Sequence, residues 1–173
     1  MIIESGSNAQ YTSADNKSIT LTIVTDTLGT IPISVHPDDV PTAQIYADCV
    51  AGKYGAIAAY PLASSQSTQL ALMDSSYTSA NTQPISYMNT TFQADDYSVN
   101  LLNQTIQIMT STSTPNLTWW DSNNNGVAMT LAQLVGLGAE IFSRGQTLFT
   151  HKQTQKSAIR AATTNAAVEA ITW

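Results

Sequence analysis

The sequence predicts an α+β protein, on the evidence of three patterns. Apolar and polar residues alternate over two segments before residue 36, which is the period of a half-buried strand. Two short strand-like segments with polar turns follow residue 84, and each leads into a helical pattern. The last of these helical patterns is very long. We therefore expect a small β-rich N-terminal module, residues 1–62, and a helix-and-β-hairpin module, residues 63–173.

The N-terminal module is expected to contain strands and one short helix. Pro32 favours an edge position for the second strand, because proline cannot donate to a sheet. Asp38 and Asp39 supply turn and cap residues before the helix, which Gly52 closes. The predicted elements are strands at Ile19–Val24, Ile31–Val35 and Ile57–Tyr60, and a helix at Thr42–Ala51.

The segment Ala63–Thr82 is polar, and its pattern is less decisive. Leu70, Met73 and Tyr77 recur at helical spacing, so a helix is predicted, with a linker as the alternative.

From Pro84 onwards one plan occurs twice, about 35 residues apart. Each copy has a hairpin, a capping residue and a helix. Asp95 and Asp96 offer caps to the first helix, and Thr130 with Gln133 forms a capping box for the second. The predicted segments are strands at Ile85–Tyr87, Thr91–Ala94, Trp119–Trp120 and Val127–Met129, and a first helical seam of Val99, Leu102, Ile106 and Met109.

This internal repeat aligns Phe92 with Val127, Asp95 with Thr130, and Ile106 with Ile141. A lone hairpin is marginally stable in water. The two hairpins are therefore expected to pair into one four-stranded sheet that carries helices on one face, with a chance recurrence of helical seams as the alternative.

A long helix is predicted from Leu131 to about Ala162, followed by a short helix that Thr163 or Thr164 caps and that ends at Trp173. Three glycines interrupt the long helix, and each costs up to ~1 kcal/mol against alanine. Glycine permits close packing, so we expect a neighbour against that face. The glycines are Gly136, Gly138 and Gly145, and the apolar seam is Leu134, Ile141, Leu148, Phe149 and Ile159.

Composition excludes several classes of function. The net charge of −6 and the pI of about 4.5 argue against a nucleic-acid partner. No apolar run reaches the ~18 residues of a membrane span. Cys49 stands alone, which excludes an intramolecular disulfide and a cysteine-based zinc site, and Met1–Glu4 lacks the features of a secretory signal.

Charged residues are only 10%, and Ser, Thr, Asn and Gln form about two-fifths of the chain. Such a surface tolerates being covered by partners.

Residues with catalytic or metal-binding chemistry are few, and each has a structural interpretation. Asp121, Asn123 and Asn125 match the first half of an EF-hand loop, but its twelfth position is Ala132 rather than glutamate. A hairpin turn therefore explains them better than a calcium site, which is the alternative interpretation. No cofactor motif is present.

The remaining candidates are also explained by structure. The paired aspartates Asp38-Asp39 and Asp95-Asp96 stand where helices should begin, so capping explains them better than acid–base catalysis. His36 and His151 accompany no catalytic motif, and Cys49 is expected in the core. No enzyme is predicted.

Basic residues concentrate near the C-terminus, where Glu169 is the only acid. Lys152 and Lys156 continue the line of the long helix's seam, which changes from apolar to cationic after Phe149. Either these lysines are solvated, or this end of the helix docks on an acidic surface of a partner or a symmetry mate. Large aromatic side chains are also common interface anchors. The predicted partner-binding residues are Trp119, Trp120, Arg144, Phe149, Lys152, Lys156 and Arg160.

Several segments resemble a domain of unknown function found in short phage and prophage tail proteins, often encoded beside tail-fibre genes. They are Ile85–Asp95, Trp120–Thr130 and Gln153–Thr164, within a resemblance that covers roughly Leu70 to Trp173. A weaker similarity, from Ile31 to Tyr60, is to the small module that often precedes this domain. Relatives often carry glycine where Asn89 stands, and asparagine also tolerates the positive φ of a turn.

The resemblance implies a structural protein of a phage tail, associated with a fibre or baseplate. Its expected partners are other tail proteins, with a homo-oligomer as an alternative, and neither nucleic acid nor a membrane is expected. Its expected location is the virion, after assembly in the bacterial cytoplasm. A tail-fibre assembly chaperone is the first alternative. The second is a host-glycan-binding module, which requires Trp119, Trp120 and Tyr87 to form an exposed platform.

Overall fold

The computed structural model describes residues 2–173 and confirms the α+β class. Its backbone separates into two compact units. The N-terminal unit comprises residues 1–69 and 159–171, and the C-terminal unit comprises residues 70–158 and 172–173. The sequence-based division differs, because it places a single boundary at 62/63.

A three-stranded antiparallel sheet in the order β1-β2-β3 forms the first part of the N-terminal unit. Its strands are β1 (Ile3–Tyr11), β2 (Ile19–Thr25) and β3 (Gly29–Val35). Alternate residues of β2 are buried, as the sequence predicts. The edge position of Pro32 on β3 is also confirmed.

Helix α1 (Ala43–Val50) contributes Cys49, 1% exposed, to the core formed by β2 and Tyr54. Gly6 of β1 lies directly against the Tyr54 ring, where a Cβ would be 2.8 Å from Cγ and Cδ1. The predicted capping of α1 by Asp38 and Asp39 is wrong. Thr42 occupies the N-cap position, but its side chain makes no capping hydrogen bond to the helix. Instead, the Thr42 hydroxyl donates a hydrogen bond to the Asp39 carboxylate.

Two further N-terminal predictions need correction. The strand expected at Ile57–Tyr60 is reduced to a single parallel bridge from Ala58 to Gln10. The short last helix, α5 (Asn165–Glu169), begins at the predicted cap Thr164 but ends at Glu169 rather than Trp173. Asn165 Nδ2 donates to the carbonyl of Tyr60, which ties α5 to the chain before the next helix.

The remaining elements follow the predicted order. The polar segment 63–82 forms helix α2 (Leu62–Asn81), so the helix prediction is confirmed and the linker alternative is wrong. Hairpin β4 (Ile85–Tyr87) and β5 (Thr90–Phe92) leads to α3 (Asp96–Thr112), and hairpin β6 (Asn116–Trp120) and β7 (Gly126–Thr130) leads to α4 (Leu131–Ala161). The positive φ expected at Asn89 is present, at 61°.

The capping predictions for α3 and α4 are confirmed. Asp95 accepts the amide N–H and the hydroxyl of Ser98 at the start of α3. At α4 the capping box is reciprocal: Gln133 N–H donates to Thr130 Oγ1, and Thr130 N–H donates to Gln133 Oε1. Both copies of the repeat therefore start their helices at equivalent positions.

The predicted four-stranded sheet is wrong, because the hairpins form two separate two-stranded sheets. Their link is one backbone hydrogen bond, from Ser122 N–H to Thr91 O at 2.8 Å. Strands β4 and β5 are three residues long and offer little edge for pairing. The hairpins are instead stabilised by a shared core, whose buried members are Phe92, Leu102, Met109, Met129, Leu134 and Leu137.

The expected neighbours of the α4 glycines are present, and they belong to this chain. A Cβ on Gly136 would overlap the Tyr87 hydroxyl. Leu102 and Ile106 of α3 approach Gly138, and Asn81 of α2 approaches Gly145.

Candidate functional site

The basic side chains predicted to bind partners are largely engaged within the chain. Lys152 and Lys156 of α4 both reach Asp74 of α2, with Nζ–O distances of 3.6 and 2.7 Å. Their side chains are only 13% and 15% exposed, so the expectation that they are solvated is wrong. The acidic surface that they meet belongs to α2. Partner binding through these lysines stays a prediction.

The Arg144 side chain also forms its hydrogen bonds within the chain. Its two terminal nitrogens donate to the carbonyls of Gln83 and Asn81, each at 2.6 Å. Asn81 ends α2, so the guanidinium satisfies carbonyls that a helix end leaves without partners. Partial burial lowers the pKa of Arg144 from its ordinary value. Arg160 is exposed and belongs to the N-terminal unit.

The two tryptophans of β6 face opposite ways, as neighbours on a strand must. Trp119 packs against the C-terminal core, whereas Trp120 is 61% exposed. Tyr87 also packs against that core. The exposed platform of Trp119, Trp120 and Tyr87 that the sequence suggested is therefore not formed.

A different aromatic pair lies at one groove, which we call the tryptophan groove. It has a volume of about 290 Å³ and is lined by Gln93, Tyr97, Ser98, Leu101, Trp119, Trp120, Asp121 and Asn124. Tyr97, in the first turn of α3, is 76% exposed. Tyr97 is not among the residues predicted from the sequence.

A second apolar surface runs along α4. Val135, Phe142 and Phe149 are all substantially exposed, Phe142 at 67%, and they are separated by seven residues each. We call this set the α4 stripe. At 1.5 Å per residue it extends over roughly 21 Å of the helix.

A groove of about 380 Å³ adjoins the α4 stripe. Phe142 and Phe149 line it from α4, Tyr77 and Asn81 from α2, and Asp96 from α3. The Tyr77 and Phe149 rings meet edge to face, with centroids 6.2 Å apart, which fixes the position of Phe149. Phe149, which the sequence predicts to bind a partner, therefore lies at an open apolar surface.

The Asp121–Asn125 segment is a hydrogen-bonded turn, as its preferred interpretation predicts. Asp121 Oδ1 accepts the N–H groups of Asn123 and Asn125, both at 2.8 Å, and Oδ2 accepts the Asn125 amide. The hydrogen bonds from Asn125 lower the pKa of Asp121 most. Asn124 takes the positive φ, 61°. Both oxygens of the one carboxylate in this turn are therefore used by the turn itself.

Residues 2–173 contain no candidate for two other kinds of site. No three histidine, cysteine, aspartate or glutamate side chains in this range are close enough together to hold a metal ion. Within the same range, no helix combines the length and the apolar character that a membrane crossing requires.

Comparison with known proteins gives one match. A family model described as a domain of unknown function (DUF4376) matches residues 65–172. No curated protein and no solved structure matches the chain.

Proposed function

Since the chain belongs to the family of the domain of unknown function DUF4376, we propose that it is a structural protein of a bacteriophage tail. In this proposal it acts by protein–protein contacts, as a permanent component that connects or decorates a fibre or the baseplate. Its partners are other tail proteins.

The viral assignment is supported by the resemblance of three separate segments to short phage tail proteins. These segments are Ile85–Asp95, Trp120–Thr130 and Gln153–Thr164. They lie within the matched range, 65–172.

The observation that carries the proposed mode of action is the α4 stripe. Its seven-residue spacing is the repeat with which one α-helix packs along another, because a slightly underwound helix returns to the same face every seven residues. A large aromatic ring such as Phe142, left mostly in water on a rigid helix, gains free energy when a partner covers it.

The surroundings of the α4 stripe also favour a protein partner. The adjoining groove gives the ring of an incoming side chain a place between Phe142 and Phe149. Ala139 and Gln146, which flank Phe142 on the surface of α4, are exposed and uncharged. Neutral groups cost less to desolvate than charges, so a partner can extend over this face. We expect the partner to present an apolar helix.

Virions offer the direct test. Particles purified from cells that carry the gene are analysed by mass spectrometry, with the chain supplied as wild type, Phe142→Glu or Thr147→Glu. Phe142→Glu places a charge in the centre of the α4 stripe, whereas Thr147→Glu places the same charge on the polar face. The wild type and Thr147→Glu should be stoichiometric in particles, and Phe142→Glu should be at least tenfold depleted.

Other results would contradict the proposal in different ways. A chain bound to fibre protein in lysates but absent from particles would be an assembly chaperone. Equal incorporation of Phe142→Glu would exclude the α4 stripe as the contact surface. A stoichiometric dimer in solution that Phe142→Glu dissolves would identify a second copy of this chain as the occupant. Circular dichroism of each variant establishes that the fold is retained.

A further inference from the structure

We propose that the tryptophan groove is a binding site for a neutral carbohydrate. The inference is independent of the phage assignment and of the α4 stripe, because it rests on other residues.

Two exposed aromatic rings, Trp120 and Tyr97, form the apolar part of the site together with Trp119 and Leu101. Trp120 lies opposite Gly126 in the β6–β7 hairpin. A Cβ on Gly126 would be 2.8 Å from Thr118 Cγ2 and 3.8 and 3.9 Å from two atoms of the six-membered ring of Trp120, so the end of the indole lies close to the glycine. The hairpin supports the indole there, while 61% of Trp120 remains exposed. Tyr97 adds a second exposed ring to the same groove.

Exposed aromatic faces of this kind match the chemistry of a sugar ring. A pyranose presents several C–H groups on one face, and these carry partial positive charge. The face of an aromatic ring is electron-rich and attracts such groups. The hydroxyls of the sugar project around its edge and need hydrogen-bonding partners there.

The polar part of the site consists of amides. Gln93 and Asn124 line the groove, and both are exposed, so their side-chain amides are accessible to a ligand. An amide both donates and accepts, so it can bind two neighbouring hydroxyls at once. The Tyr97 hydroxyl and the Trp120 indole N–H are further polar groups on exposed side chains of this groove.

The residues that carry these groups are held in place before any ligand binds. Asp121 fixes the turn that positions Asn124 by accepting three hydrogen bonds, and Ser122 N–H ties this turn to Thr91 O of the other hairpin. Asp95 caps α3 two residues before Tyr97. A preorganised site loses less conformational entropy on binding.

Charge and size select a neutral sugar among small polar ligands. The groove includes the Asp121 carboxylate and no basic side chain, so it repels phosphates, nucleotides and acidic sugars. Its volume of about 290 Å³ is near the lower end of the range of small-molecule sites, roughly 300–1,000 Å³. An apolar peptide would leave the amides of Gln93 and Asn124 without partners.

The test uses the full chain on a printed array of neutral and acidic oligosaccharides. It is followed by calorimetric titration with cellobiose, maltose and N,N′-diacetylchitobiose, because the heat of binding can be measured in the Trp120 variant as well. The wild type should bind a neutral sugar at millimolar concentration or below. Trp120→Ala and Tyr97→Ala should each weaken that binding at least tenfold. Phe142→Ala, which removes an equally exposed ring elsewhere, should leave it unchanged.

The two proposals fail separately in this design. Absence of binding to every neutral sugar would overturn the carbohydrate site and leave particle incorporation unaffected. Binding that survives both Trp120→Ala and Tyr97→Ala, or binding confined to acidic sugars or to apolar peptides, would overturn it equally. Because Tyr97 is 76% exposed, its removal should not disturb folding, so a misfolded Trp120 variant would not prevent the test.

Discussion

Both carboxylate oxygens of Asp74 on α2 lie 2.7 Å from Nζ of Lys156 on α4. Lys152 approaches the same carboxylate at 3.6 Å, and its ammonium lies 3.9 Å from the centroid of the Tyr77 ring. One acid therefore balances two lysines whose stems are covered by protein. This cluster stabilises the packing of α2 on α4 in the C-terminal unit.

Asp74→Asn should lower the midpoint of thermal unfolding at pH 7, because it leaves two mostly covered lysines without a counterion. The hydrogen bond and charge of Lys156, with the charge of Lys152, lower the pKa of Asp74 below its ordinary value of 3.8. A lowered pKa in the folded state stabilises the protein above the unfolded-state pKa, and this contribution is lost as the pH falls through the folded-state pKa. The difference between wild type and variant should therefore shrink below pH 4.

Thermal melts of the wild type, Asp74→Asn, Lys156→Gln and the double variant, at pH 7 and pH 3, measure this interaction. The two single substitutions should be non-additive at pH 7 and closer to additive at pH 3. Parallel pH profiles for the wild type and Asp74→Asn would show that the ion pair contributes nothing.

Gly136→Ala and Gly138→Ala should change stability in opposite directions. Alanine at 136 would overlap the Tyr87 hydroxyl, and displacing this packed ring should cost about 1–3 kcal/mol. Alanine at 138 would be 3.8 Å from Ile106 Cδ1, an ordinary contact, so its higher helix propensity should stabilise α4 by up to ~1 kcal/mol. Urea unfolding measures the free energy of unfolding of both variants. Equal changes in this free energy would contradict the packing of Tyr87 against Gly136.

Thr130→Ala should destabilise the protein by about 1 kcal/mol, because it removes the Oγ1 that accepts Gln133 N–H at the start of α4. Thr130→Ser keeps the hydroxyl and should retain most of the stability. Chemical denaturation compares the three chains. A serine variant as unstable as the alanine variant would indicate that the methyl group of Thr130, rather than the cap, matters.

Arg144→Met should cost about 1–2 kcal/mol, since it removes the hydrogen bonds to the carbonyls of Asn81 and Gln83 but keeps much of the side chain's volume. Amide hydrogen exchange should accelerate in the last turn of α2. Arg144→Lys should recover only part of the loss, because an ammonium group lacks the fork that reaches two carbonyls. Unchanged exchange in Arg144→Met would exclude this role.

Local signals in the sequence predicted much of the fold. The Thr130–Gln133 capping box, the Asp95 cap and the alternation along β2 each depend on residues within a few positions. Strand β1 was missed because Ile3–Tyr11 is mostly polar, contains Gly6 and buries only Ala9 fully. Its stability comes from pairing with β2, which no local pattern reveals.

The candidate sites depend more on contacts between distant residues. The partner of Lys156 is Asp74, 82 positions earlier, so the sequence could not show that the lysine is satisfied within the chain. Tyr97 could have been found. With Leu101 and Ile108 it forms a second apolar line on α3, away from the buried Leu102 and Met109.

The buried thiol of Cys49 can report local opening of the N-terminal unit. Burial raises the pKa of this thiol, so little thiolate forms at neutral pH, and the side chain is 1% exposed. A maleimide or disulfide reagent can therefore modify the folded protein only when α1 detaches from the three-stranded sheet. The labelling rate measures how often that local opening occurs, without any engineered probe.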